Sequence, residues 1–96
     1  MHEDKKQQEQ IILEEPIPVK ELLLMTILSL EGKAWAYLGL TAHPETQKPK
    51  KDLKEAKLAI DSIETLFKLI EPLLENEEKK DIQVRLTNLR LNFVKE

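Results

Sequence analysis

The sequence predicts an all-α fold: a three-helix bundle with helices over about residues 19–40, 52–71 and 75–95 and a long connection between the first two. Three observations predict it. Apolar residues recur at three- and four-residue spacings in three separate stretches. Pro44 and Pro49 fall between the first two stretches, and Pro72 between the second and third. With 96 residues the chain is too short for a second independent core, so one domain is expected.

The opening MHEDKKQQEQ is polar throughout after its methionine and offers no apolar surface to offset the entropy of ordering it. Residues 1–15 therefore read as a disordered or extended tail, and residues 16–96 as the single helical domain. Ile11-Ile12-Leu13 is a short apolar cluster, and Pro16 and Pro18 forbid helix after it. The resulting arm can dock on the bundle, dock on a neighbouring subunit, or stay mobile.

From Val19 the pattern is helical, and Gly39 marks the end. One seam joins Leu22, Met25, Ser29, Gly32, Ala36 and Gly39; a second joins Leu23, Ile27, Leu30, Ala34 and Tyr37. With Leu24, Leu28, Trp35 and Leu38 they make the helix apolar over most of its circumference, the mark of a helix covered on several sides. The lower half of the first seam is built of small residues. A glycine costs about 1 kcal/mol inside a helix, so Gly32 implies a compensating packing benefit.

Residues 41–51 form the long loop. Asp52 and Glu55 then have the spacing of a capping box, the carboxylate of each accepting the other's amide. Leu53, Ala56, Ile60, Ile63, Phe67, Ile70 and Leu74 continue as one apolar seam until Pro72 forces an end or kink near Ile70–Glu71. The third helix, starting somewhere in residues 73–77, carries Ile82, Leu86, Leu89 and Phe93, with Val84, Leu91 and Val94 as a second stripe. Helices one and three thus show more apolar surface than one small bundle buries, and a second copy related by two-fold symmetry is the simplest cover. A homodimer is expected, with Leu22, Met25, Ser29, Gly32, Ala36 and Trp35 at or near its interface.

Composition excludes several functions. A net charge of −3 and a pI near 5.5 give no basic nucleic-acid footprint. Lacking cysteine, the chain has no disulfide, thiolate metal site or cysteine nucleophile. The most apolar window, residues 22–30, is far below the roughly 20 residues a membrane span needs, and no apolar leader follows the start. A cytoplasmic protein without membrane or nucleic-acid partners and without a cofactor is expected.

Four clusters invite a chemical reading. His43 and Glu45, with Asp52, could hold a metal, but three or four ligands are wanted and no second histidine is near; a proline-initiated turn is the plainer reading. Lys48, Lys50, Lys51 and Lys54, with Lys57, crowd the start of the second helix, where an anion could bind. Against this, the capping box already occupies that end and no glycine-rich cradle exists. Asp61 is better placed for an ion pair with Lys57, Arg85 or Arg90 than as a general base. Ser29 lacks an activating histidine, and its hydroxyl is expected to bond back to the Met25 carbonyl. No catalytic constellation emerges, so an enzyme is not expected.

The stretch Ser29-Leu30, Ala34, Leu38-Gly39-Leu40, Pro44-Glu45-Thr46, Lys48, Asp52-Leu53, Ala56-Lys57 and Ile60-Asp61 resembles a bacterial family, domain of unknown function 1844. Glu77-Glu78, Ile82, Leu86, Leu89-Arg90 and Phe93-Val94 extend the likeness, which runs without gaps over about residues 24–95. Three positions depart from the family pattern. Gln47 and Pro72 stand where glycines are expected, and Glu75 where another polar cap is. The first argues against an obligatory left-handed residue in the loop. The resemblance implies an all-α bacterial cytoplasmic domain and brings no activity, cofactor or catalytic residue. The expected function is a non-catalytic helical protein-interaction module with an unidentified protein partner; the alternative is a small-molecule or anion-binding regulatory domain using residues 43–54.

Overall fold

A computed structural model of the chain describes residues 12–96; the first eleven residues of the expected tail lie outside the described part. Three α-helices follow in order, α1 (Val19–Tyr37), α2 (Leu53–Ile70) and α3 (Asn76–Val94), with a single 3-10 turn, Glu71–Leu73, between the last two. The all-α three-helix architecture expected from the periodicity is the one observed.

α2 has the cleanest amphipathic pattern and occupies the centre. Its seam residues Ala56, Ile60, Ile63, Phe67 and Ile70 are buried, and each large one contributes roughly 1.5–3 kcal/mol of transfer free energy. Ile27, Ala34 and Leu38 meet them from the α1 side, and Ile82, Leu86 and Leu89 from α3. The Asp52 amide donates to the Tyr37 carbonyl at 2.8 Å, which starts α2 beside the end of α1 and runs it back antiparallel. α3 returns antiparallel to α2, pairing Arg90 with Glu64. It lies parallel to α1, tied by Lys20–Glu78 at 3.4 Å and Glu31–Arg85 at 2.6 Å. α1 and α2 share the most extensive contact; α3 rests on both more lightly.

Several ends differ from expectation for identifiable reasons. α1 stops at Tyr37 rather than residue 40, because Gly39 adopts φ +86°. Its amide bonds the Ala36 carbonyl at 2.9 Å and the Leu40 amide the Trp35 carbonyl at 3.1 Å, a Schellman motif that closes the helix. At the start of α2 only half of the capping box forms. The Asp52 carboxylate accepts the amides of Lys54 and Glu55, but its own N–H is engaged by Tyr37, so Glu55 has nothing to reach back for. Pro72 sits in the first turn of the 3-10 helix, where a missing N–H is harmless. α3 opens with the Glu75 amide on the Glu78 carboxylate at 3.0 Å. That N–H, together with Lys20, holds the Glu78 carboxyl below its ordinary value.

The loop contains the one left-handed non-glycine residue among those described, Gln47 at φ +61°. This corrects the sequence expectation: the turn keeps its left-handed residue although the glycine is absent. Its amide closes on the His43 carbonyl at 2.6 Å, which a left-handed residue at this position permits.

Two substitutions test this account of the turns. Gln47→Gly should stabilise the fold by up to about 1 kcal/mol, the relieved left-handed penalty exceeding the added freedom of the unfolded chain. Gly39→Ala should cost about 1–2 kcal/mol, since its Cβ would enter a left-handed conformation 3.4 Å from the Lys51 stem. Thermal denaturation should show Tm moving up by a few degrees in the first and down in the second.

Candidate functional site

α1 buries Ile27, Ala34 and Ala36 and packs Leu23, Leu24, Leu30, Trp35 and Tyr37 partly into the core. Among the described residues nothing covers the face opposite. Leu22 is 44% exposed and Met25 52%, Ser29 and Gly32 are exposed, and a Cβ built on Gly32 would meet no atom within 4 Å. Of the six residues expected at an interface, four therefore share one open strip of helix. Trp35 is half-buried, its indole N–H toward Glu31 at 3.4 Å. Ala36 is fully buried within its own chain and cannot meet a partner; that part of the expected interface is corrected. The Ser29 hydroxyl makes no backbone bond among the described residues, whereas Thr26 bonds back to the Leu22 carbonyl at 2.9 Å.

The polar cluster of the molecule forms where the loop meets α1. Lys33 extends across the loop and places its ammonium 2.8 Å from His43 Nδ1 and 2.9 and 2.8 Å from the two Glu45 oxygens. It also lies 4.9 Å from the Tyr37 ring centroid, on whose electron-rich face a cation is attracted. His43 is 5% exposed and packs edge-on against Tyr37. An ammonium only donates, so Nδ1 accepts and Nε2 carries the proton it gives to the Lys50 carbonyl at 2.9 Å. The His43 amide bonds the Lys48 carbonyl at 3.0 Å. Lys33 thus fastens the loop to α1. Sequence reasoning missed this because residues 33 and 43 belong to different elements; the available signal was a lysine one helical turn before Tyr37, ahead of a histidine-bearing turn.

These contacts bear on the chemical readings. Both ring nitrogens of His43 are engaged, which leaves no lone pair for a metal, and among the described residues no three His, Asp or Glu side chains converge. Lys48, Lys50, Lys51 and Lys54 are all exposed. Lys51 pairs with Glu96, and the carboxylate of Asp52 already occupies the first amides of α2. Asp61 pairs with Lys57 at 2.7 Å, while Arg90 goes to Glu64 and Arg85 bridges Glu31 and Asp81. Between α2 and α3, Ile60, Asp61, Arg90 and Phe93 line a recess of about 170 Å³, below the usual 300–1,000 Å³ of a ligand pocket, and a shallower hollow of about 480 Å³ lies open to solvent along Leu58, Asp61, Ser62, Thr65 and Leu66 of α2.

Lys33→Met keeps the stem but strands His43 Nδ1, a buried acceptor, and should destabilise by about 1–3 kcal/mol. It should also change the acid response. Lys33 and the residue's own amide hold the Glu45 carboxyl below its ordinary 4.5. Its folded value lying lower, Glu45 contributes stability above that pH and loses it as pH falls through the folded value. Chemical denaturation across pH should therefore show a smaller acid loss in Lys33→Met than in the wild type.

Comparison with known proteins adds one match. No curated protein and no solved structure matches the chain. Residues 21–95 match the model of a family described as Domain of unknown function (DUF1844), a span that holds α1 from Glu21 onward, the fastened loop, α2 and α3. The chain belongs to the DUF1844 family.

Proposed function

We propose that this chain is a non-catalytic protein-interaction module that assembles as a homodimer through the outer face of α1. The observation that carries this is Gly32. A glycine inside a helix costs about 1 kcal/mol relative to alanine, and among the described residues nothing approaches the space its missing side chain leaves. A second helix seated there makes use of that space. Leu22 and Met25 extend the same strip with apolar side chains about half-exposed to water. Exposed Val84, Leu91 and Val94 on α3 leave further apolar surface for a different protein partner. The anion-binding reading has less support, since Asp52 already fills the helix start that an anion would use. Among the described residues no helix is long and apolar enough to cross a membrane, and a cytoplasmic setting goes with this reading.

Light scattering on the eluting protein should give a dimer mass at micromolar concentration, and a wild-type monomer there would overturn the proposal. Leu22→Glu combined with Met25→Glu should give a monomer with unchanged helical circular dichroism. Gly32→Ala separates the two roles of that position. The monomer helix gains up to about 1 kcal/mol, while the added methyl group should raise the dimer Kd about tenfold by overpacking the contact.

A further inference from the structure

The α1 strip has a direction. Its first half is bulky, with Val19, Leu22 and Met25, and its second half is small, with Ser29 and Gly32. Two such strips laid parallel would set bulk against bulk at one end and leave a gap at the other. Laid antiparallel, each bulky half covers a small half, and the backbones run at an even distance.

Charge has the same direction. With the pairs Lys20–Glu78 and Arg85–Asp81 set aside, the end that holds the start of α1, the end of α2 and the start of α3 carries Glu21, Glu71, Glu75 and Glu77, only partly offset by Lys79 and Lys80. With the ion pairs Lys33–Glu45, Lys51–Glu96 and Lys57–Asp61 set aside, the other end carries Lys48, Lys50, Lys54 and Lys95, against Asp52 and Glu55. Antiparallel copies bring acidic end to basic end twice, whereas parallel copies bring like to like.

The arm before α1 has apolar and acidic residues to place as well. Ile12 is 90% exposed, Leu13 54% and Ile17 43%, and Pro18 holds the extended φ −62°, ψ 149° that leads away from the helix. Glu14 and Glu15 lie between these apolar residues.

Resting on the α1 pairing proposed above, we infer that the two copies lie antiparallel. Leu22 and Met25 of each cover Ser29 and Gly32 of the other, and the acidic arm of each crosses the partner's Lys48–Lys50 loop and its exposed Leu40. The two-fold axis passes near the middle of the strip.

The cysteine-free chain makes the test direct. Leu22→Cys and Gly32→Cys proteins are oxidised separately and as an equimolar mixture. The mixture should yield the mixed disulfide in several-fold excess over either protein alone. Met25→Cys with Ser29→Cys provides a second pair in which Gly32 is untouched. A strong Leu22→Cys homodisulfide, with the mixed products absent from both pairs, would overturn the antiparallel arrangement. Light scattering on the wild type separates the two failures, because a monomer defeats the pairing itself and a dimer with the wrong crosslinks defeats only its direction. The arm is tested by Glu14→Lys with Glu15→Lys, which should weaken the dimer several-fold. Adding Lys48→Glu and Lys50→Glu should restore it. Failure of that restoration would remove the arm from the contact.

Discussion

α1 is apolar around its circumference, and the rest of the molecule is arranged by how that surface is covered. Water disfavours such a helix on every side. α2 covers one side with Ile60, Ile63 and Phe67, and α3 reaches a second flank with Ile82 and the Arg85–Glu31 pair. The loop after Gly39 folds back toward the end of α1, where Ala36 and Leu38 are buried and His43 packs against Tyr37. What these three leave uncovered is the strip from Leu22 to Gly32. The open face is thus a remainder set by length: the loop reaches the last turns of α1 and no further.

The polar contacts work at the edges of this packing. Arg85 is held firmly protonated by Asp81 and Glu31 together, and it anchors α3 to α1 at a half-buried position. The i,i+4 pairs Lys57–Asp61 and Lys68–Glu64 are exposed and each contribute a few tenths of a kcal/mol. Lys33 differs in kind. Its three protons meet His43 and the two Glu45 oxygens, so one side chain fixes both the position of the loop and the tautomer of its histidine. The loop needs such a fastening because it contributes little apolar surface of its own beyond Leu40, which stays exposed.

The helices were legible because burial on one side writes a period into the sequence. The seam from Ala56 to Ile70 reads directly as the buried face of α2, and the core of α3 likewise follows Ile82, Leu86 and Leu89. Hydrogen bonds between elements leave no such period. That the Asp52 amide belongs to Tyr37 depends on where two helices meet, so the capping box read from residues 52 and 55 was half right. Gln47 was misread for the converse reason. Glycine announces a left-handed turn, but a glutamine held there by the closing bond to His43 looks ordinary in sequence. At the candidate face, periodicity identified the strip but placed Ala36 on it, since a seam cannot reveal that Ala36 is already buried within its own chain.

The distribution of polar chemistry bears on what kind of protein this is. A catalytic or ligand-binding site needs groups with unused capacity: an unshared lone pair on a histidine, a carboxylate without a cation, a helix start with open amides. Here His43 is occupied at both nitrogens, Asp61 faces Lys57, and Asp52 closes the start of α2. These three groups, which sequence reasoning enlisted for chemistry, are engaged in holding the chain's own elements together, while Lys48, Lys50 and Lys54 stay exposed and make no ion pair among the described residues. The α1 strip is apolar, lies along one helix, and contains the glycine whose cost no contact among the described residues offsets. Such a surface suits a second helix, and this is the ground on which the proposed pairing through α1 rests.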